Sequence, residues 1–370
     1  MKKILFLLVL VISLSFTACS QDLPEEVVVT NTPTPTPTIT ATPEPTAEPT
    51  ATPEPTIAPN VNLLTGEETL SDDAIGTRPV AVMVNNLTGS LPQYGISDAD
   101  IVFEVVVESN ITRLLAIYGD YTAVPDICSV RSARYYYPLI SEGFDAFYVH
   151  WGWESTYAPA TISEYNVDNI NGSYNDYGLF GRDQDKISAG YATEHTSVFY
   201  GTELSEALEN DSSIRLELEE GKTDTFFNFN TEFTPADGEE LYEFTLDFGS
   251  YYSGFEYNEE TGTYYKYHNG SQHVDSSTDV WLNFSNVIVL ETDVSNIPDA
   301  SSGIKDVEII GENQPGYYIS GGTIQKITWT KTDAEESYIL YDENGDELYI
   351  NTGKTYFAVG EIEYSSDLFD

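Results

Sequence analysis

The chain is poor in cysteine and in positive charge, and each shortage closes off a class of proteins. Cys19 and Cys128 are its only cysteines. With no CxxC pair, a structural zinc site of the thiolate kind is excluded. Fifteen Lys and Arg stand against 61 Asp and Glu, a formal net charge of −46. Nucleic acid is gripped through Lys and Arg, so it is not an expected partner. P-loop, HExxH, dinucleotide and nucleophile-elbow signatures are all missing. No metal centre and no cofactor is expected. The acidic excess itself has two readings, solubility outside the cell or capture of divalent cations there.

What is present begins with an address. Met1-Lys2-Lys3 is a short basic segment, and Ile4 to Leu14 is an apolar run too short to span a bilayer comfortably. It leads into Phe16-Thr17-Ala18-Cys19, which looks like a bacterial lipobox with Phe in place of the usual Leu. That resemblance implies a signal peptide over residues 1–18 and acylation of Cys19, hence a stable membrane anchor. Residues 19–60 then form a tether. Its Thr-Pro and Pro-Glu-Pro-Thr repeats from Thr30 to Pro59 carry no aromatic residue and only Ile39 and Ile57 as large aliphatics. Such a stretch cannot bury a core, so it reads as disordered and partly polyproline II. Extended at ~3.1 Å per residue, it would reach roughly 90 Å into the cell wall.

The folded part is expected as two domains, 61–212 and 213–363, with a tail at 364–370. In the first, Val80–Val84 is a continuous apolar run and reads as a buried strand. Ile101–Glu108 alternates, with Ile101, Phe103, Val105 and Val107 on one face and Glu104 and Glu108 on the other. Ser109-Asn110 is a plausible hairpin turn into Ile111–Tyr118. Ser132–Glu142 has helical spacing, which would place Arg131, Arg134 and Tyr135 on one face. Phe144–Trp151 reads as a strand and Ser155–Tyr165 as a helix. The second domain is a series of short aromatic strands. Gly262, Asn269-Gly270, Gly321-Gly322 and Asn344-Gly345 punctuate it as turns. The fold class is therefore α+β, a mixed α/β domain followed by a mostly antiparallel β domain.

Five of the six arginines fall in the first domain: Arg78, Arg113, Arg131, Arg134 and Arg182. So do His150 and His195, two of four histidines. One reading is a ligand cleft. Arginines grip carboxylate or phosphate bidentately, Asp183 and Trp151 complete the binding set, and His150, His195, Glu104 and Glu108 are the candidate acid–base groups. The other reading is structural, with Arg113, Arg131 and Arg134 paired to Glu104, Glu108 and Asp100. Cys128 reads as a buried thiol.

Several segments resemble the YerB-like lipoprotein family. They are Arg78–Asn86, Ser97–Glu104, Ile111–Ala116, Val130–Arg134, Asp145–His150, Arg182-Asp183 and His195. In the second half the resemblance continues at Thr261–Tyr264, Val287–Val289, Trp329 and Asp342–Gly345. Glu194 and Thr196 stand where that family has Pro and Asn, and Cys128 where it tends to have Gly. The resemblance implies a two-domain extracytoplasmic lipoprotein and no activity, since the family has none assigned. The expected function is binding of a cell-envelope polymer or protein through the Arg-rich first domain. The alternative is a hydrolase or transferase acting on peptidoglycan or a linked polymer.

Overall fold

The computed structural model describes residues 58–222, 226–298 and 303–366. The signal peptide, Cys19 and nearly all of the tether lie outside the described residues, as does the end of the tail. Among the described residues no helix is long and apolar enough to cross a membrane.

One sheet of eleven strands organises the chain. Its first-half members are β1 (Val80–Asn85), β2 (Ile101–Val106), β3 (Thr112–Tyr118), β4 (Phe147–His150) and β5 (Asn169–Asn171). The apolar run of β1 is buried along its whole length, as a strand covered on both faces must be. Ser109 and Asn110, with φ of 56° and 58°, turn β2 into β3; two successive positive φ values match the twist of a tight hairpin. Two helices, α1 (Tyr136–Gly143) and α2 (Tyr157–Glu164), cover one face.

The second half supplies β6 (Glu243–Asp247), β7 (Tyr252–Asn258), β8 (Thr263–His268), β9 (Asn286–Glu291), β10 (Gly311–Ser320), β11 (Thr323–Lys331) and β12 (Thr355–Gly360). Asn269-Gly270 and Gly321-Gly322 make positive-φ hairpin turns, as their composition requires. In the main sheet the order runs β11, β10, β9, β12, β2, β3, β1, β4, β5. Thus β12, from the last described part of the chain, pairs in parallel with both β9 and β2 and joins the two halves. Strands β6 to β8 belong to a second, six-stranded sheet that lies on the other face. Phe244, Phe255 and Tyr264 there pack with Val102, Leu114, Val289 and Ala358 of the main sheet.

Three sequence expectations shift. The helix begins at Tyr136, not Ser132, because Arg131–Ala133 is drawn into the sheet. Arg131 N donates to Met83 O and Trp151 N to Arg131 O, each at 3.0 Å. Arg131 and Arg134 therefore share no helix face. Pro138 then falls in the first turn of α1, where its missing N–H costs nothing. The strand expected from Phe144 begins at Phe147, after Asp145 at φ 52°. Finally, the expected tail begins inside a strand, since Glu363–Ser365 pairs with β6.

Candidate functional site

Seven strands of the main sheet run in one direction. Their carboxyl ends, at Asn85, Val106, His150, Asn171, Glu291, Lys331 and Gly360, share one edge. In sheets with parallel strands, ligands favour this edge. An acid-lined cleft of about 700 Å³ opens above β2, β9 and β12, bordered by Asp247, Glu291, Asp293 and Glu363. Arg113, Arg131 and Arg134 lie further along, toward β1 and β4, whereas Arg78 sits at the opposite edge, just before β1.

Glu108 stands just past β2, and two guanidiniums converge on it. Arg113 Nη2 donates to its carboxylate at 3.0 Å and Arg134 Nε at 2.9 Å, while Arg134 Nη2 makes a second, shorter contact. Each arginine also reaches backbone: Arg113 Nη1 donates to Ser132 O and Arg134 Nη1 to Ala133 O, both at 2.6 Å. Burial would raise the Glu108 carboxyl, but Arg113 and Arg134 outweigh it and hold the group at about 2. Burial, then Arg134, pulls Arg113 down to about 10. This is a closed ion-pair network rather than an open grip. Arg78 is equally committed. It is buried, lies 2.5 Å from Asp168 Oδ2, donates from Nε to Asp145 O, and stacks on Phe147.

Arg131 and Arg182 differ. Among the described residues neither makes an ion pair. Arg131 is half-buried and its Nε has no hydrogen-bond partner. Arg182 lies over the Trp151 ring, its guanidinium carbon 4.3 Å from the centroid, and donates to Thr193 O at 2.6 Å. Between them comes the Thr193–His195 turn. Asn85 Nδ2 donates to His195 Nδ1 at 2.9 Å, so that nitrogen is an acceptor. Burial lowers the His195 pKa, Glu194 opposes this, and Arg131 adds to the lowering. Asp183 is spent on structure, capping Gln184–Ser188 by accepting Lys186 N at 2.8 Å.

The other acid–base candidates are sealed. His150 is fully buried, with Nδ1 donating to Gly152 O at 2.8 Å. Glu104 is fully buried and does not meet Arg113. Its carboxylate accepts from Asn86 Nδ2 at 2.7 Å, Thr112 Oγ1 at 2.6 Å and Ser253 Oγ at 2.6 Å, and from Tyr356 at a shorter distance. Behind Ser253 stands Lys266, whose Nζ donates to Ser253 Oγ at 3.0 Å. Burial drops Lys266 to about 8, and Glu104 only partly opposes it. Lys266, His268 and His273 were missed in the sequence. A signal existed: alternation along β8 puts Lys266 and His268 on the same face as buried Tyr264.

Cys128 is buried, and burial pushes its thiol up to about 11. It is no nucleophile at neutral pH. A thiol reagent at neutral pH is expected to leave Cys128 unmodified in the folded protein and to label it fully in denaturant; rapid labelling without denaturant contradicts this burial.

Two halves fused through one sheet, the first mixed and the second mostly antiparallel, define an α+β protein of a family without assigned activity. Residues 64–214 match the N-terminal domain, and residues 244–357 the C-terminal domain, of the protein of unknown function DUF3048. The chain belongs to this family. It is 29% identical over 301 residues to "Putative lipoprotein YerB" of Bacillus subtilis (strain 168), covering 80% of this chain and 85% of that protein. The crystal structure of YerB from Bacillus subtilis superposes with a TM-score of 0.70 at 27% identity. It covers 84% of this chain and 100% of that one.

Proposed function

We propose that this protein is an extracytoplasmic lipoprotein, anchored through Cys19, that binds an anionic cell-envelope polymer at Arg131 and Arg182. The anchoring half of the proposal is supported by the lipobox-like Phe16–Cys19 segment and by the lipoprotein name of the relative. One observation carries the binding half. In a chain with 61 acidic residues, Arg78, Arg113, Arg134 and Arg215 are ion-paired, while among the described residues Arg131 and Arg182 are not. Glu194 acts on Arg131 only from beyond ion-pair range, so both guanidiniums keep donors free for a ligand. Carboxylate or phosphate is the matching chemistry. Trp151 serves as the plate on which Arg182 is held.

Sedimentation with purified wall polymer tests this. The Arg131→Ala/Arg182→Ala protein is expected to bind at least about tenfold more weakly than wild type, a loss of about 1.4 kcal/mol. Binding should also weaken as salt rises. Equal binding by both proteins removes the assignment.

A further inference from the structure

Inside the edge just described, a polar chain runs from the core to the surface. Glu104, Ser253 and Lys266 form its inner end. Beyond Lys266 lie His268 and His273, only 2% and 1% exposed, with ring centroids 5.7 Å apart. Each has one ring nitrogen against the Asn86–Gln93 loop. His268 Nε2 is 3.2 Å from Thr88 Oγ1, and His273 Nε2 donates to Gln93 Oε1 at 2.6 Å. Among the described residues the other nitrogen of each ring, Nδ1, is buried and has no partner, and the same is true of Asn86 Oδ1. Gln93 in turn donates from Nε2 to Asn85 O, and Asn85 Oδ1 accepts Leu87 N at 3.1 Å. The loop thus covers the two histidines on its inner side and fixes Asn85, the partner of His195, on its outer side.

We propose that the Asn86–Gln93 loop is an acid-released cap over His268 and His273, and that its release loosens the Asn85–His195 contact. The link to binding rests on the function proposed above; the cap itself does not.

The charged groups facing the pair are Lys266 of β8 and Glu104 of β2, and the Tyr251 ring stands 5.5 Å from that of His268. Glu104 is already engaged by four donors. A proton arriving on either ring finds no acceptor and sits beside a buried ammonium. It becomes tolerable only when water reaches the ring, and Thr88 and Gln93 stand in the way. Burial and then Lys266 hold His268 down at about 4 in the closed form, against an ordinary 6.5, and the same two causes hold His273 well below 6.5. The sign follows. The closed form is fully favoured above 6.5 and loses ground as the pH falls toward 4. For His268 alone this favours opening about 20-fold more at about pH 5 than at about pH 7. Lys186 resists opening from outside, its Nζ donating to Ser90 O at 2.7 Å and Pro92 O at 2.6 Å.

Hydrogen exchange of the full-length protein in detergent, corrected for intrinsic rates, provides the test. Amides of residues 86–93 are expected to exchange at least about tenfold faster at about pH 5 than at about pH 7. The His268→Gln/His273→Gln protein should lose that dependence. Unchanged protection in wild type, or an unchanged pH profile in the variant, overturns the cap. Should the variant not fold, ring NMR of wild type decides. The two buried imidazoles must protonate over the pH range in which the loop opens, and protonation without opening overturns the cap. Opening that leaves the Asn85 side-chain amide signal unmoved overturns the link to His195.

Discussion

Glu104→Leu is expected to destabilise the protein by about 3–5 kcal/mol, read as a fall in the guanidinium midpoint. The carboxylate has four donors from β2's surroundings and from across the fold: Asn86, Thr112, Ser253 and Tyr356. All four residues are buried, so none can turn to water when Glu104 is lost. Lys266 is left worse off, because its ammonium keeps its desolvation and loses the opposing charge of Glu104. Ser253 and Lys266 sit on the six-stranded sheet, Glu104 and Tyr356 on the main one, so the damage falls where the two layers meet. Adding Lys266→Met is then expected to return about 2 kcal/mol of the loss, since the second substitution removes the stranded charge. If the two substitutions simply add, Glu104 and Lys266 are not coupled through Ser253.

That junction shows where sequence reading stops. The strands of the first half were legible because burial writes itself into alternation: Ile101, Phe103 and Val105 mark one face of β2 and Val102 the other. The hairpin turns were legible because positive φ demands Gly or Asn, as at Asn269-Gly270. What stayed hidden is long-range. Nothing local at Thr355–Gly360 says that it will insert between Ile101–Val106 and Asn286–Glu291, some 250 residues from the first. The main sheet takes strands from both sides of the expected boundary near 212, which no local signal in the sequence announces. The arginine cluster was visible as composition only. The pairing of Arg113 and Arg134 depends on where Glu108 lands, between β2 and the Ser109-Asn110 turn. The helical spacing of Ser132–Glu142 misled for the same reason, because backbone pairing with Met83 and Trp151 overrode local propensity.

Glu108→Gln tests the pairing of Arg113 and Arg134 directly, through pH. The carboxyl is held at about 2 in the fold, against an ordinary 4.5. Its contribution is therefore fully present above 4.5 and is lost as the pH falls through about 2. Each tenfold change in proton affinity is worth about 1.4 kcal/mol, and partial exposure of the carboxyl trims the sum, which leaves about 2 kcal/mol. At neutral pH the variant is expected to be less stable than wild type by about that amount, with the midpoints converging on acidification. A constant gap from neutral pH down to acid would mean that the arginines do not hold Glu108 ionised. Wall-polymer binding offers the second reading of the same variant. Glu108 acts on Arg131 only through space and makes its ion pairs with Arg113 and Arg134, so the folded Glu108→Gln protein should bind like wild type. If binding collapses while Arg131 and Arg182 are untouched, the ligand contacts Arg113 or Arg134 instead, and the surface proposed above is misplaced by one strand.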